Sequence, residues 1–256
     1  KIDHEPCYRC WDIDYVTQIR KWKLLIYLSD QTFTEKLYNQ ESGTTVVWEH
    51  LDKLVTNTRE DNENDLNNFL KAIAVKAHLA MVFHRFVEQG KLILWVNERP
   101  VEAWDPYLRG ETATQPLPEE HLLGGKVIVK PYILPHHSKM NKETFEKAAG
   151  PNGWNAQQGF YIYRNERLLV TSDWFGMFRK EEHYKLARIM IDIPNSVDNE
   201  WQIDIKKSVA RPPAVLRKEL KRIADYARSR AVEVYRHRGK KIQRSLNRDF
   251  VMLWNE

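Results

Sequence analysis

Gln157-Gln158-Gly159-Phe160-Tyr161-Ile162-Tyr163-Arg164-Asn165-Glu166-Arg167-Leu168-Leu169-Val170 is the stretch that decides the fold. An aromatic run follows the glycine, an aliphatic run closes the stretch, and a polar Arg-Asn-Glu break lies between them. Two β-prone runs around a short polar break predict a β-hairpin. Toward the C-terminus, residues 186–193 and 201–205 read as a second pair of strands across the polar connection 194–200. Pro212-Pro213 then stops the chain. Beyond it Val215, Leu216, Leu220, Ile223, Ala227 and Val234 recur at helical spacing, which predicts a long basic helix ending near Arg238.

Toward the N-terminus, residues 126–133 predict a strand after Gly124-Gly125, and residues 91–96 predict another before an Asn97-Glu98 turn. Leu66, Phe69, Leu70, Ile73, Ala77 and Ala80 predict an amphipathic helix over 65–89 that ends at Gly90. An acidic, polar break at 60–65 separates it from Gly43-Thr44-Thr45-Val46-Val47-Trp48, a β-branched run expected to be a strand. Residues 11–16 and 22–28 also read as strand-like. Strands dominate the middle and helices bracket them, so the expected class is α+β, organised as 1–64, 65–212 and 213–256.

With 256 residues and 42% hydrophobic content the chain can bury a core. No run approaches the roughly 18 apolar residues of a membrane span. The start shows no signal-peptide pattern, so no membrane partner is expected, and a cytoplasmic location is, nuclear in a eukaryote. The chain opens at Lys1 rather than Met, which suggests that residues precede it. Two cysteines exclude a disulfide framework. Cys7 and Cys10 form a C-x-x-C beside His4, but such a pair supplies only two of the four ligands of structural zinc, and reduced thiols are the reading. Charge is uneven: residues 211–248 carry thirteen Lys/Arg against three Asp/Glu. Such a segment is either a nucleic-acid-facing element or the solvated face of a helix.

Three features bear on chemistry. Gly43 lets backbone approach a ligand, and the hydroxyls of Thr44 and Thr45 donate and accept hydrogen bonds. Asp204-Ile205-Lys206-Lys207-Ser208 is a strand end delivering two ammonium groups into a loop, and a lysine there suits a terminal phosphate. The hairpin itself has no evident chemistry. Adjacent His136 and His137 point to opposite sides of an extended segment, poor geometry for a metal, and an exposed loop is expected. His78 and His84 lie six apart on the predicted helix, too far round to share a metal, and are expected at the surface or partly buried. Trp95, Trp104, Trp154, Trp174 and Trp201 are expected in the core or at an interface.

In order and spacing these features resemble the ATPase superfamily of gyrase B, the histidine kinases, MutL and the heat-shock chaperone (GHKL), with the MORC proteins as the closest-looking branch. The resemblance implies the end of a Bergerat-type ATPase sandwich, then a ribosomal-protein-like β-α-β transducer domain and the basic helix. It implies that Gly43 and Thr44, with Thr45 beside them, help hold the adenine of ATP. The Tyr-Arg-Asn-Glu-Arg hairpin corresponds to the Val-Asn-Gly-Arg hairpin of mismatch-repair transducers. Lys207, with Lys206 as the close alternative, matches the lysine that reaches the γ-phosphate. ATP and Mg2+ are the implied cofactors, and a homodimer formed on ATP binding the implied assembly. The Glu-x-x-x-Asn magnesium motif and the Asp-x-Gly-x-Gly adenine motif belong upstream of Gly43, and neither is found, so these residues alone are expected not to turn ATP over. Residues 171–185 are also short for the crossover helix of the mismatch-repair transducer. The rival expectation is a non-enzymatic module in which residues 211–248 track the phosphates of double-stranded DNA.

Overall fold

A computed structural model describes residues 7–26, 43–48, 74–96, 99–203 and 210–236. The chain divides into two compact units, Lys1–Glu63 and Asn64–Glu256. Helix α1 (Ile13–Ile19) lies in the first unit; in the second, the described elements start with two consecutive helices, α2 (Ala74–Val82) and α3 (His84–Glu88). A two-stranded ribbon follows, β1 (Trp95–Val96) with β2 (Arg99–Pro100). The main sheet comprises β3 (Gln115–Pro116), β4 (Glu120–Leu122), β5 (Val127–Ile133), β6 (Gly159–Arg164), β7 (Arg167–Asp173) and β8 (Ala187–Ile193). A short helix α4 (Lys142–Ala148) precedes β6, and α5 (Arg217–Arg236) is the last described element. The described residues are thus mixed α and β, as expected.

The sheet runs β3-β5-β8-β6-β7, with β4 also on the outer edge of β5. β6 and β7 form the predicted antiparallel hairpin, with register shifts beside Ile162. β8 pairs parallel with β6 and antiparallel with β5. The turn Asn165-Glu166 has φ of 47° and 68°, matching the two left-handed positions that a tight hairpin needs.

Pairing sorts the side chains into two unlike faces. On one face Val129, Ile191 and Ile162 lie in a row, with Pro131, Ile189 and Phe160 in the next. Helix α5 covers this face with Leu220, Ile223, Ala224, Ala227 and Ala231, all at most 1% exposed. Each Leu or Ile so buried contributes about 1.5–3 kcal/mol, which offsets the cost of ordering the helix. The predicted periodicity is therefore borne out, except that Val215 is exposed and the first turn, Ala214–Leu216, is a 3-10 turn. Arg228 extends from α5 over the rings of Phe178 and Tyr184, at 4.0 and 3.8 Å. The opposite face is polar and aromatic, presenting Tyr132, Tyr161, Tyr163, Arg188 and Asp192, and it packs against α2 and α3.

Several expectations fail for identifiable reasons. Residues 11–16 are not a strand: α1 (Ile13–Ile19) starts there, because the Asp12 carboxylate accepts from the Tyr15 amide and caps it. Of the 22–28 stretch, residues 22–26 are described, and among these only Leu25 pairs, in a single bridge to Cys10. Residues 43–48 form no strand among the described residues. Residues 201–203 turn rather than extend, with Gln202 at φ 47° and the Trp201 amide donating back to the Val197 carbonyl. The 91–96 strand shrinks to Trp95–Val96. The helix predicted over 65–89 is helical where described, breaks at Phe83 (φ −108°, ψ 15°) and ends at Gly90 (φ 67°). Trp95 is exposed, whereas Trp154, Trp174 and Trp201 are buried as expected. No described helix is long and apolar enough to cross a membrane.

Candidate functional site

Because β6 and β8 run parallel, their carboxyl ends lie side by side, with Arg164 opposite Ile193. The carboxyl ends of parallel strands are where open sheets most often place ligands. Three connections gather at this end: the β4–β5 turn, the hairpin turn and the segment after β8. The Arg164 guanidinium grips Asp198 with two bonds, Nε to Oδ1 at 2.7 Å and Nη2 to Oδ2 at 2.5 Å. That fork ties the hairpin to the 3-10 turn Asn195–Val197. Val197 and Trp201 are fully buried just beyond, and the Arg211 amide donates to the Trp201 carbonyl at 2.8 Å next to buried Ala210. Residues 201 and 211 are thereby joined by a backbone hydrogen bond. Lys206 and Lys207 fall in 204–209, outside the described residues.

On the polar face of the same end lies a charged cleft of about 270 Å³, lined in part by Arg85, Glu88, Arg109, Lys130, Glu166 and Asp192. Its charges are largely matched. Arg85 forks onto Asp192 at 2.5 and 3.1 Å and lies 3.6 Å from the centre of the Tyr163 ring. Fully buried His84 meets the Tyr163 hydroxyl at 2.9 Å through Nε2 and Glu88 at 3.1 Å through Nδ1. A neutral His84 satisfies both neighbours only by donating from Nδ1 to ionised Glu88 and accepting from the Tyr163 hydroxyl at Nε2. Burial pushes the Tyr163 hydroxyl far above its ordinary pKa, and that of Tyr161 up to about 12. The Tyr107 hydroxyl, buried beside Tyr163, completes no hydrogen bond of good geometry.

Ligand atoms of His84, Glu88 and Asp105 lie within 4.8 Å of one another, close enough for a metal ion. Arg109 stands in its place. The guanidinium donates to Glu88 at 2.6 Å and to Asp105 at 3.0 Å, and Asp105 also accepts from the amides of Arg109 and Tyr107. With its carboxylates so engaged, the cluster is an ion-pair network. Burial acts to raise the Glu88 carboxyl, but the bonds from His84 and Arg109 outweigh it and hold it below its ordinary value. The unfolded chain then binds that proton more readily. Glu88 contributes stability fully above the unfolded carboxyl range, and this is lost as pH falls through its folded value. Glu88→Gln should lower stability near neutrality and flatten the acid limb, read from urea midpoints between about pH 7 and pH 3. An acid limb identical to wild type would show that Glu88 carries no such linkage.

Gly43, Thr44 and Thr45 are exposed, in the first unit. His136 is buried, not exposed as expected, and its ring lies 4.0 Å from that of His137 at a tilt of 43°. His84, expected at or near the surface, is wholly buried. Cys7 and Cys10 are free thiols. Sequence reasoning missed the Arg85–Asp192 and His84–Tyr163 contacts. Its available signal was three polar residues, His84, Arg85 and Glu88, packed into one helical turn. Comparison with protein-family models, with curated proteins and with solved structures found no match.

Proposed function

We propose that the chain is the distal part of a nucleotide-binding domain and the transducer domain of a GHKL-type ATPase. In this reading ATP with magnesium is the ligand, and Lys207, with Lys206 beside it, senses the γ-phosphate. The observation that carries the reading is the closed base of the lysine-bearing stretch. Trp201 and Arg211 join at the carboxyl end of β8, and the Arg164–Asp198 fork braces that end against the hairpin. An ammonium carried from a braced base suits a terminal phosphate and the charge that develops on it in hydrolysis. Losing the γ-phosphate would release the contact, which turns hydrolysis into domain movement.

The first unit supports the reading independently. Its described residues bury one large hydrophobic side chain, Leu25, and expose Trp11, Ile13, Trp22, Ile26, Val46 and Trp48. The run Val46-Val47-Trp48 is apolar on consecutive positions yet exposed, which suits a surface that further polypeptide covers. That fits a piece of a larger sandwich, with Gly43, Thr44 and Thr45 toward the adenine. The one described cluster with metal-ligand spacing is closed by Arg109, so the magnesium ligands belong to polypeptide outside the described residues. Dimerisation on ATP binding and action on double-stranded DNA remain parts of the proposal. Along α5, Arg222, Arg228 and Arg230 already pair with carboxylates, leaving Arg217, Lys218, Lys221 and Arg236 as exposed cations for which no such pair is seen among the described residues.

The test is ATP turnover, with magnesium, by protein that includes the complete nucleotide domain. Lys207→Ala should cut turnover on the order of a hundredfold, with the fold intact by circular dichroism. A Lys206→Ala, Lys207→Ala double variant running at the full rate would overturn the assignment. So would a folded protein that neither binds nor hydrolyses ATP.

A further inference from the structure

The two faces of the sheet hold their helices by different physics. α5 lies chiefly on aliphatic side chains, a non-directional contact, and its directional pair, Arg222 with Glu120, is solvent-exposed and adds little. α3 is held by contacts that have one solution. His84 reaches the Tyr163 hydroxyl, Arg85 forks onto Asp192, and Glu88 takes the Arg109 guanidinium. Slide the helix by one turn and Met81 faces Asp192, Ala80 faces the Tyr163 hydroxyl, and His84 meets Arg109. All three contacts vanish together, and buried polar groups are left without partners. The irregular turn at Phe83 is still bridged by the Phe83 amide to the Leu79 carbonyl and the Val87 amide to the Phe83 carbonyl, so α2 and α3 would slide together.

We infer that His84, Arg85 and Glu88 form a register lock, fixing α3 at one axial position on β6 and β8 so that helix and sheet move as one body. The inference does not depend on the ATPase reading. Satisfied buried polar contacts add little net stability over apolar replacements, but they specify a single arrangement. The lock therefore makes a prediction that a merely stabilising contact does not, because alignment and stability should come apart.

The experiment is hydrogen exchange on the full chain carrying Arg85→Leu with Asp192→Leu. The thermal midpoint should stay near wild type, while amides at 84–90 exchange about tenfold faster and those of α5 do not change. Unchanged protection at 84–90 would overturn the inference. So would a midpoint that falls in step with protection across the whole unit. Should the double variant not fold, Tyr163→Phe and Asp192→Asn serve, each close to isosteric. Tyr161→Phe is the control: its hydroxyl bonds Gln157 at 2.7 and 2.8 Å rather than α3, so it should leave 84–90 protected. Equal loosening by Tyr161→Phe and Tyr163→Phe would reduce the lock to general packing and sink it.

Discussion

Arg188→Lys should unfold at lower urea than Arg188→Met, although lysine is the nearer relative. Arg188 is fully buried, and no carboxylate hydrogen-bonds to it among the described residues, Asp105 acting on it only through space. Its charge is balanced by the carbonyls of Pro106 and Ala148, at 2.6 and 2.8 Å, and by the rings of Trp104 and Trp154, 5.5 and 5.4 Å away. A planar fork serves two carbonyls at once, whereas a single ammonium does not reproduce that geometry. Lysine thus keeps the cost of a buried charge and loses part of what balances it. Methionine sheds the charge and leaves two carbonyls unpaired, a loss of about 2–4 kcal/mol. If lysine instead matches wild type, water or a carboxylate reaches the site and this account of its burial fails.

Gly159→Ala should cost about 2–5 kcal/mol, although it adds one methyl group. Gly159 sits at φ +129°, and a Cβ there would lie 2.8–3.0 Å from the backbone of Ser172 and Asp173. Backbone cannot yield as a flexible side chain does, so β7 must shift at the point where its pairing with β6 is already irregular. Gly110→Ala is the comparison. A Cβ there meets nothing within 4 Å, and stability should stay within about 0.5 kcal/mol of wild type. Equal urea midpoints for the two variants would show that the close approach at Gly159 is not rigid.

What the sequence conveyed follows from which forces are local. The runs that became β5, the hairpin and β8 carry β-branched and aromatic residues bounded by turn residues. The α5 stripe repeats at helical spacing, so both signals survive without tertiary knowledge. Residues 11–16 misled because Trp-Asp-Ile-Asp-Tyr-Val alternates like a strand, while one side-chain cap at Asp12 tips it to helix. Trp201-Gln-Ile misled because its aromatic character serves burial of a turn rather than a ladder.

The candidate site was less legible. Alternation in Phe160-Tyr161-Ile162-Tyr163 shows that the two faces differ, but nothing local names what covers each. The partners of Arg85 and Arg188 lie 107 and 82 residues away in sequence, beyond any periodicity. Adjacency of the β6 and β8 ends depends on parallel pairing, which no single strand encodes.

The short strands β3 and β4, and the irregular β6–β7 pairing, bear on how copies of this protein meet one another. One border of the sheet is covered by two fragments of two and three residues, the first ending in Pro116. The other, β7, bends where Ser172 takes φ 51°. Neither offers the long, flat row of open amides and carbonyls on which strands from separate molecules stack. Sheet-to-sheet aggregation is thereby disfavoured at both borders of this sheet.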